Sequence, residues 1–278
     1  MPNTSITIFF IVFFALLAGI LALVISISVI NAKYKKFVTD NSEALKQLKE
    51  LNSQYSFIEI PDFDMKHTYD NENFYEDISC KDYLTYELVY KQKAVSKALK
   101  DTLSNKTMYE EYKQKSAEVA KFGQYNAEIG KLKTNKLLKT EKALFNKTVL
   151  RPQTQFSISV LLRLEKINGQ YRTSKTSTFP AEQIKDIINK LHQKQGNFYT
   201  NRDIWDSICR VERGKVTNKM RFAIYAKDNY RCRKCGRKTN DLEIDHIYPI
   251  AKGGKTTMDN LQTLCHRCNV RKGDSVDY

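Results

Sequence analysis

The sequence predicts an α+β chain in four stretches: a single N-terminal transmembrane helix, a helical middle, a β-hairpin with helices, and a small C-terminal domain. Three observations carry this. Ile6–Ile30 is 25 residues without a charge. The stretch after it is Lys-rich and helix-favouring, with apolar residues at spacings of three, four and seven. Near the C-terminal end, two β-rich runs flank Asn168-Gly169, and two C-x-x-C pairs follow. The boundaries fall at 1–32 (anchor), 33–150 (helical stalk or coiled-coil region with an acidic linker at 57–88), 151–215 (small α+β region) and 216–278 (C-terminal domain).

The chain has 278 residues, which argues for two or more units. Its formal charge is +15, unevenly placed. Residues 1–150 carry 21 Lys+Arg against 18 Asp+Glu, a net of +3, and residues 151–278 carry 25 against 13, a net of +12. A C-terminal half that basic suits a polyanion such as nucleic acid, the alternative being a well-solvated surface. The six cysteines are Cys80, Cys209, Cys232, Cys235, Cys265 and Cys268. In so long a chain, paired C-x-x-C spacing argues for a metal and against a secreted disulfide scaffold.

As a helix, Ile6–Ile30 spans roughly 37 Å, enough to cross a ~30 Å hydrocarbon core with tilt. Its flank lacks the basic residues of a signal peptide, and no A-x-A cleavage site follows. A buried core helix is the weaker rival, because the run is apolar on every face and such a helix needs a large protein around it. Lys33, Lys35 and Lys36 follow the span directly, so the positive-inside rule places the N-terminus outside and the later domains in the cytoplasm.

Leu45, Leu48 and Leu51 form one helical stripe that reads as a short stalk continuing the membrane helix. Phe57–Leu88 is acidic, nine Asp/Glu against two Lys, and reads as a linker leading to a helix near Ser79. Ser79 and Asp82 there resemble a capping box. Leu84, Leu88, Val95 and Leu99, then Tyr109, Tyr112, Phe122, Tyr125, Ile129 and Leu132, predict two helices. These form either a hairpin or an intermolecular coiled coil, which would make the protein a homo-oligomer. Asn168-Gly169 marks a β-hairpin. Pro180 begins a helix with Ile184, Ile187, Ile188 and Leu191 on one face. Further helices follow Thr200 and Thr217. Cys80 and Cys209 read as small core residues.

The last segment carries the chemistry. Cys232/Cys235 and Cys265/Cys268 offer four thiolates, a closed tetrahedral shell for Zn²⁺ with no open position, hence a structural site. A redox pair is the alternative. Between the pairs, Leu242, Ile244 and Ile247 mark a strand with Asp245-His246 near its end. Lys252-Gly253-Gly254-Lys255 reads as a flexible basic loop. Asn260 precedes a second apolar run, and Asn269 falls in the first turn of a short helix.

The series C-x-x-C, D-H-I-x-P, G-G, N-L, L-C-x-x-C-N-x-x-K, over about Arg221 to Asp274, resembles the HNH endonuclease family, whose fold is a ββα-metal finger. The resemblance implies an HNH nuclease domain at 216–278 acting on DNA. It implies His246 as general base, and Asp245 and Asn269 as ligands of a catalytic divalent cation, Mg²⁺ or another. It also implies Asn260 as the residue that orients His246 by accepting from its far ring nitrogen. The family's final histidine is Asn269 here, which favours a hard cation over Zn²⁺ or Ni²⁺. Lys252, Lys255, Arg267, Arg271 and Lys272 would grip phosphates without reading bases. The resulting expectation is a membrane-anchored DNA endonuclease that binds lipid and DNA, directed at incoming phage or plasmid DNA. The alternative is a non-catalytic, zinc-stabilised module tethering DNA at the membrane.

Overall fold

The computed structural model describes residues 4–165, 170–195 and 198–276. The first elements are α1 (Thr4–Asn41), α2 (Glu43–Ser53), β1 (Met65–Tyr69), α3 (Glu72–Asp77), α4 (Cys80–Glu118) and α5 (Thr134–Thr148). There follow β2 (Ser157–Glu165), β3 (Tyr171–Pro180), α6 (Ala181–Leu191), β4 (Lys194–Gln195), β5 (Phe198–Tyr199), α7 (Arg202–Gly214) and α8 (Asn218–Lys227). The C-terminal elements are β6 (Leu242–His246), β7 (Leu261–Cys265) and α9 (His266–Lys272), with 3-10 turns at Ile250–Lys252 and Met258–Asn260. The chain is therefore a mixture of helices and small sheets. It divides into two compact units, Met1–Glu59 with Ser104–Thr154, and Ile60–Leu103 with Gln155–Tyr278.

The first unit is helical. Every residue of α1 from Leu16 to Lys33 is exposed, and the helix is long and apolar enough to cross a membrane. Beyond that stretch, Tyr34 and Val38 turn inward and pack with Leu45, Leu48 and Leu51 of α2, Tyr112 of α4, and Leu137 and Phe145 of α5. The leucine stripe thus belongs to a packed core. It is not a stalk that continues α1, because Ser42 stops that helix and caps α2 by accepting from the Leu45 amide at 3.1 Å. Glu141 is fully buried and tolerated there because Ser42 Oγ (2.6 Å), the Gly123 amide (2.8 Å) and Tyr125 Oη (2.9 Å) all donate to it. The periodic reading across Tyr109–Leu132 fails after Glu118. Phe122, Tyr125, Ile129 and Leu132 lie in a loop with Gly123 and Gly130 at φ +90° and +56°, yet they pack on the same core.

The second unit is built on a three-stranded sheet in the order β1-β2-β3, with β1 parallel and β3 antiparallel to β2. Strand β2 alternates as a half-buried strand must: Ile158, Val160, Leu162 and Leu164 are buried. The expected hairpin turn at Asn168-Gly169 lies outside the described residues, although the strands on either side of it do pair. Against this sheet pack Leu84, Leu88 and Val95 of α4, Ile184, Ile187, Ile188 and Leu191 of α6, and Ile204, Ile208 and Val211 of α7. Burying each such side chain stabilises the fold by about 1.5–3 kcal/mol. The capping box forms as a reciprocal pair, the Ser79 amide to Asp82 Oδ2 at 3.0 Å and the Asp82 amide to Ser79 Oγ at 3.1 Å. The acidic stretch after Phe57 is not a linker throughout, since it supplies β1, α3 and the start of α4. Strand β1 presents only Met65 and Tyr69 inward, and the one acidic side chain of the stretch that is buried, Asp82, is bonded by Ser207 and Arg210.

Candidate active site and metal centre

Strands β6 and β7 pair antiparallel from Leu242↔Cys265 to His246↔Leu261, and α9 starts directly from the end of β7. The preceding helix α8 buttresses this pair through Lys227 Nζ to the Leu261 carbonyl (2.8 Å) and Tyr225 Oη to the Leu242 carbonyl (3.0 Å). Asp228, just past α8, accepts from the Thr263 amide at 2.7 Å. These bonds substitute for apolar burial, because the core here is only Val216, Ile224 and Leu261 on one side and Cys232, Leu264 and Cys265 on the other.

The four cysteines of the two C-x-x-C pairs converge, with all four Sγ atoms within 4.8 Å of one another. Cys235 Sγ lies 3.9 Å from Cys265 Sγ, close to the roughly 3.8 Å edge of a zinc–thiolate tetrahedron. Gly236 at φ +70° closes the first knuckle and donates its amide to the Cys232 carbonyl at 2.8 Å. The Arg233 amide ties that knuckle to the Thr263 carbonyl of β7 at 2.8 Å. Burial works against a Cys232 thiolate, but backbone N–H groups of Cys265, Cys235 and Lys234 outweigh it and draw the thiol down to about 6. This is a donor set that fits zinc. It is the one group of three or more His, Cys, Asp or Glu ligands drawn together among the described residues.

Successive residues of a strand face opposite ways, so β6 divides its side chains between two surfaces. Glu243 and Asp245 meet α9. The Asn269 amide nitrogen donates to Glu243 Oε2 at 2.5 Å, and His266 Nδ1 lies 2.7 Å from Glu243 Oε1. Asp245 Oδ2 is 3.0 Å from Lys272 Nζ and accepts from Gln262 Nε2 at 3.2 Å. Lys272, expected among the phosphate contacts, is only 3% exposed, and its ammonium also donates to the His246 carbonyl at 2.8 Å. It braces the site from inside. Arg267 and Arg271 stay on the exposed face of α9.

His246 faces the other surface, 8% exposed. Burial holds its pKa below the ordinary histidine value, against the opposing pull of the Asp245 and Glu212 carboxylates. Its Nε2 lies 2.9 Å from Thr256 Oγ1. That is the position assigned from sequence to Asn260, and the structure gives Asn260 other work. Asn260 Oδ1 accepts from the Tyr248 amide (2.8 Å), and its Nδ2 donates to the carbonyls of Tyr248 (3.0 Å) and Lys255 (2.9 Å). It ties the two ends of the 248–255 loop together. The loop is accordingly not the flexible one its glycines suggested. Gly253 takes φ +94°, and a Cβ at Gly254 would sit 2.0 Å from the Tyr248 carbonyl oxygen. Lys252 remains exposed, whereas Lys255 donates to Tyr90 Oη at 3.0 Å.

Sequence reasoning missed Glu212, Thr256, Glu243 and Gln262. Glu212 left one signal: it falls four residues after Ile208 and eight after Ile204, a carboxylate on the apolar stripe of α7, and it is 1% exposed.

Residues 231–278 match the family model described as HNH endonuclease. Among known proteins, the chain is similar to the CRISPR-associated endonuclease Cas9 of Corynebacterium diphtheriae, 40% identical over 58 residues. That match covers 20% of this chain and only 5% of the relative's length. No solved structure matches the chain.

Proposed function

Because residues 231–278 belong to the HNH endonuclease family, we propose that this protein is a membrane-anchored, divalent-metal-dependent endonuclease that hydrolyses phosphodiester bonds in DNA. The observation that carries the reading is the pairing of Asp245 and His246 on adjacent, oppositely facing positions at the end of β6, beside a closed four-thiolate cluster. His246, held neutral by burial, takes the proton of the attacking water. Asp245 and the amide oxygen of Asn269 are the oxygen donors for a hard cation, Asn269's nitrogen being committed to Glu243. A divalent cation bound there supplies charge stabilisation at the scissile phosphate and the leaving oxygen. The four cysteines hold zinc in a structural role with no position left for substrate. Arg267, Arg271 and Lys252 contact phosphates from the exposed surface.

The exposed apolar face of α1 supports a single membrane span, and Lys33, Lys35 and Lys36 favour a cytoplasmic nuclease. A nuclease held at the cytoplasmic face meets entering DNA before the bulk of the chromosome, hence a defence role against phage or plasmid DNA. The reading as a non-catalytic tether draws on one feature, the Lys272–Asp245 ion pair, which already occupies one carboxylate oxygen.

Full-length protein in detergent micelles, incubated with plasmid and Mg²⁺, separates the two. Nicked or linear product is expected, reduced at least ~10²-fold by His246→Ala with DNA affinity retained. Plasmid left intact by wild type, or cut equally by both, rejects the catalytic reading.

A further inference from the structure

The imidazole at the end of β6 is held by Thr256, and Thr256 is held in turn by Glu212, a residue from outside the matched segment. Thr256 Oγ1 lies 2.9 Å from His246 Nε2 and 2.5 Å from the main-chain carbonyl oxygen of Glu212. A threonine hydroxyl has one proton, and a carbonyl oxygen can only accept. The Thr256 proton is therefore directed to Glu212, and its oxygen faces Nε2 as an acceptor. Nε2 must then carry the hydrogen, and Nδ1 carries the lone pair.

Glu212 grips the same residue a second time, since its Oε1 accepts from the Thr256 amide at 2.7 Å. The carboxylate is itself fixed. It is buried at 1% exposure, its Oε2 lies 3.3 Å from Lys215 Nζ, and that ammonium also donates to Tyr86 Oη. Burial works against its charge, but the Thr256 amide, Tyr86, Lys215 and Lys255 outweigh it and keep Glu212 ionised. On the loop side, the ties of Asn260 and the close approach at Gly254 deliver Thr256 to this place.

We infer that Glu212 and Thr256 are positioning residues of the nuclease: they clamp His246 as its Nε2–H tautomer and leave Nδ1 as the atom that accepts the proton of water. This rests on the reading of His246 as general base, but its first test does not. The clamp makes the matched segment dependent on α7, so the catalytic unit is larger than the family match. A merely structural latch between α7 and the loop would hold the backbone without caring which ring nitrogen is protonated.

The test uses full-length protein in micelles with histidines selectively labelled with nitrogen-15; the chain has four. Long-range proton–nitrogen correlations at a pH where the ring is neutral report the tautomer directly. His246, assigned by its loss in His246→Gln, should show the Nε2–H pattern, and in Thr256→Val it should shift to the other tautomer or an average. The same Thr256→Val change should lower kcat about 10–100-fold with KM for plasmid and zinc content unchanged, and Thr256→Ser should restore both readouts. An Nδ1–H pattern in wild type overturns the inference, as does wild-type kcat in Thr256→Val or failure of serine to rescue. If His246→Ala cleaves normally while the Nε2–H pattern holds, the function reading falls and the clamp geometry stands.

Discussion

The β1-β2-β3 sheet with its covering helices and the cysteine-bearing segment lie in one compact unit, yet they are held by different forces. The sheet buries Ile158, Val160, Leu162 and Leu164 against three helices, a continuous apolar core. The nuclease segment has two small clusters, one of them made largely of cysteines, and relies on bonds such as Asp228 to Thr263 and Lys227 to Leu261. A short segment with so little to bury needs ligand bonds to fold, whereas the sheet needs only its side chains. The two regions should therefore fail under different insults.

The largest effect is expected from metal removal. Structural zinc contributes about 10–16 kcal/mol of apparent binding free energy, which is folding free energy for the segment that binds it. A strong chelator should abolish hydrogen-exchange protection in β6, β7 and α9 while sparing β2 and β3. Elemental analysis of folded protein that finds no zinc would remove this side of the comparison. Next in size is Leu162→Ala, a fully buried position in the sheet. It should cost about 2–5 kcal/mol in denaturant unfolding, with zinc stoichiometry unchanged under native conditions. Equal loss of protection in both regions from either treatment would mean that they form one cooperative unit.

A smaller effect is expected at Asp82, which joins α4 to α7. Burial opposes its charge, but bonds from Arg210 (2.6 Å), Ser207 (2.6 Å) and Ser79 outweigh it and lower its pKa. With the folded value below the unfolded one, the unfolded state takes up the proton first as pH falls. The stabilisation is thus complete above the unfolded value of 3.8 and is lost as pH drops through the folded value. Wild type should lose more stability than Asp82→Asn between pH 7 and pH 3, measured by denaturant midpoint; identical losses would show that the carboxylate contributes nothing.

What was legible in the sequence follows the same division. The β-rich run before Asn168-Gly169 located β2, and helical spacing located α6 and the stripe of Leu45, Leu48 and Leu51, because those positions are defined by burial alone. It did not locate the break that makes α2 a separate helix. The cysteine spacing located the four-thiol cluster, since a candidate ligand shell leaves its mark in residue type. Less visible were relations made by tertiary contact. Nothing near Thr256 announces that it would reach His246, and Asn260 has the chemistry for the ring but is consumed by backbone groups. Lys272 looks like any surface lysine in a basic helix, and only the fold turns it inward toward Asp245. Phe122, Tyr125, Ile129 and Leu132 kept a helical rhythm in a loop, because packing on a helical core rewards the same spacing without requiring the backbone to follow.

Apart from its two glycines, the loop between His246 and Thr256 specifies a length more than a composition. Lys252 is exposed, so changing it alters no spacing. Removing one residue displaces the chain by about 3.3–3.6 Å, far beyond what a hydrogen bond tolerates. Asn260 cannot close the shortfall, since its three bonds already fix both ends. Among related chains, the number of residues from the histidine to the hydroxyl should therefore drift less than the identities of the residues other than Gly253 and Gly254, and gaps should fall elsewhere.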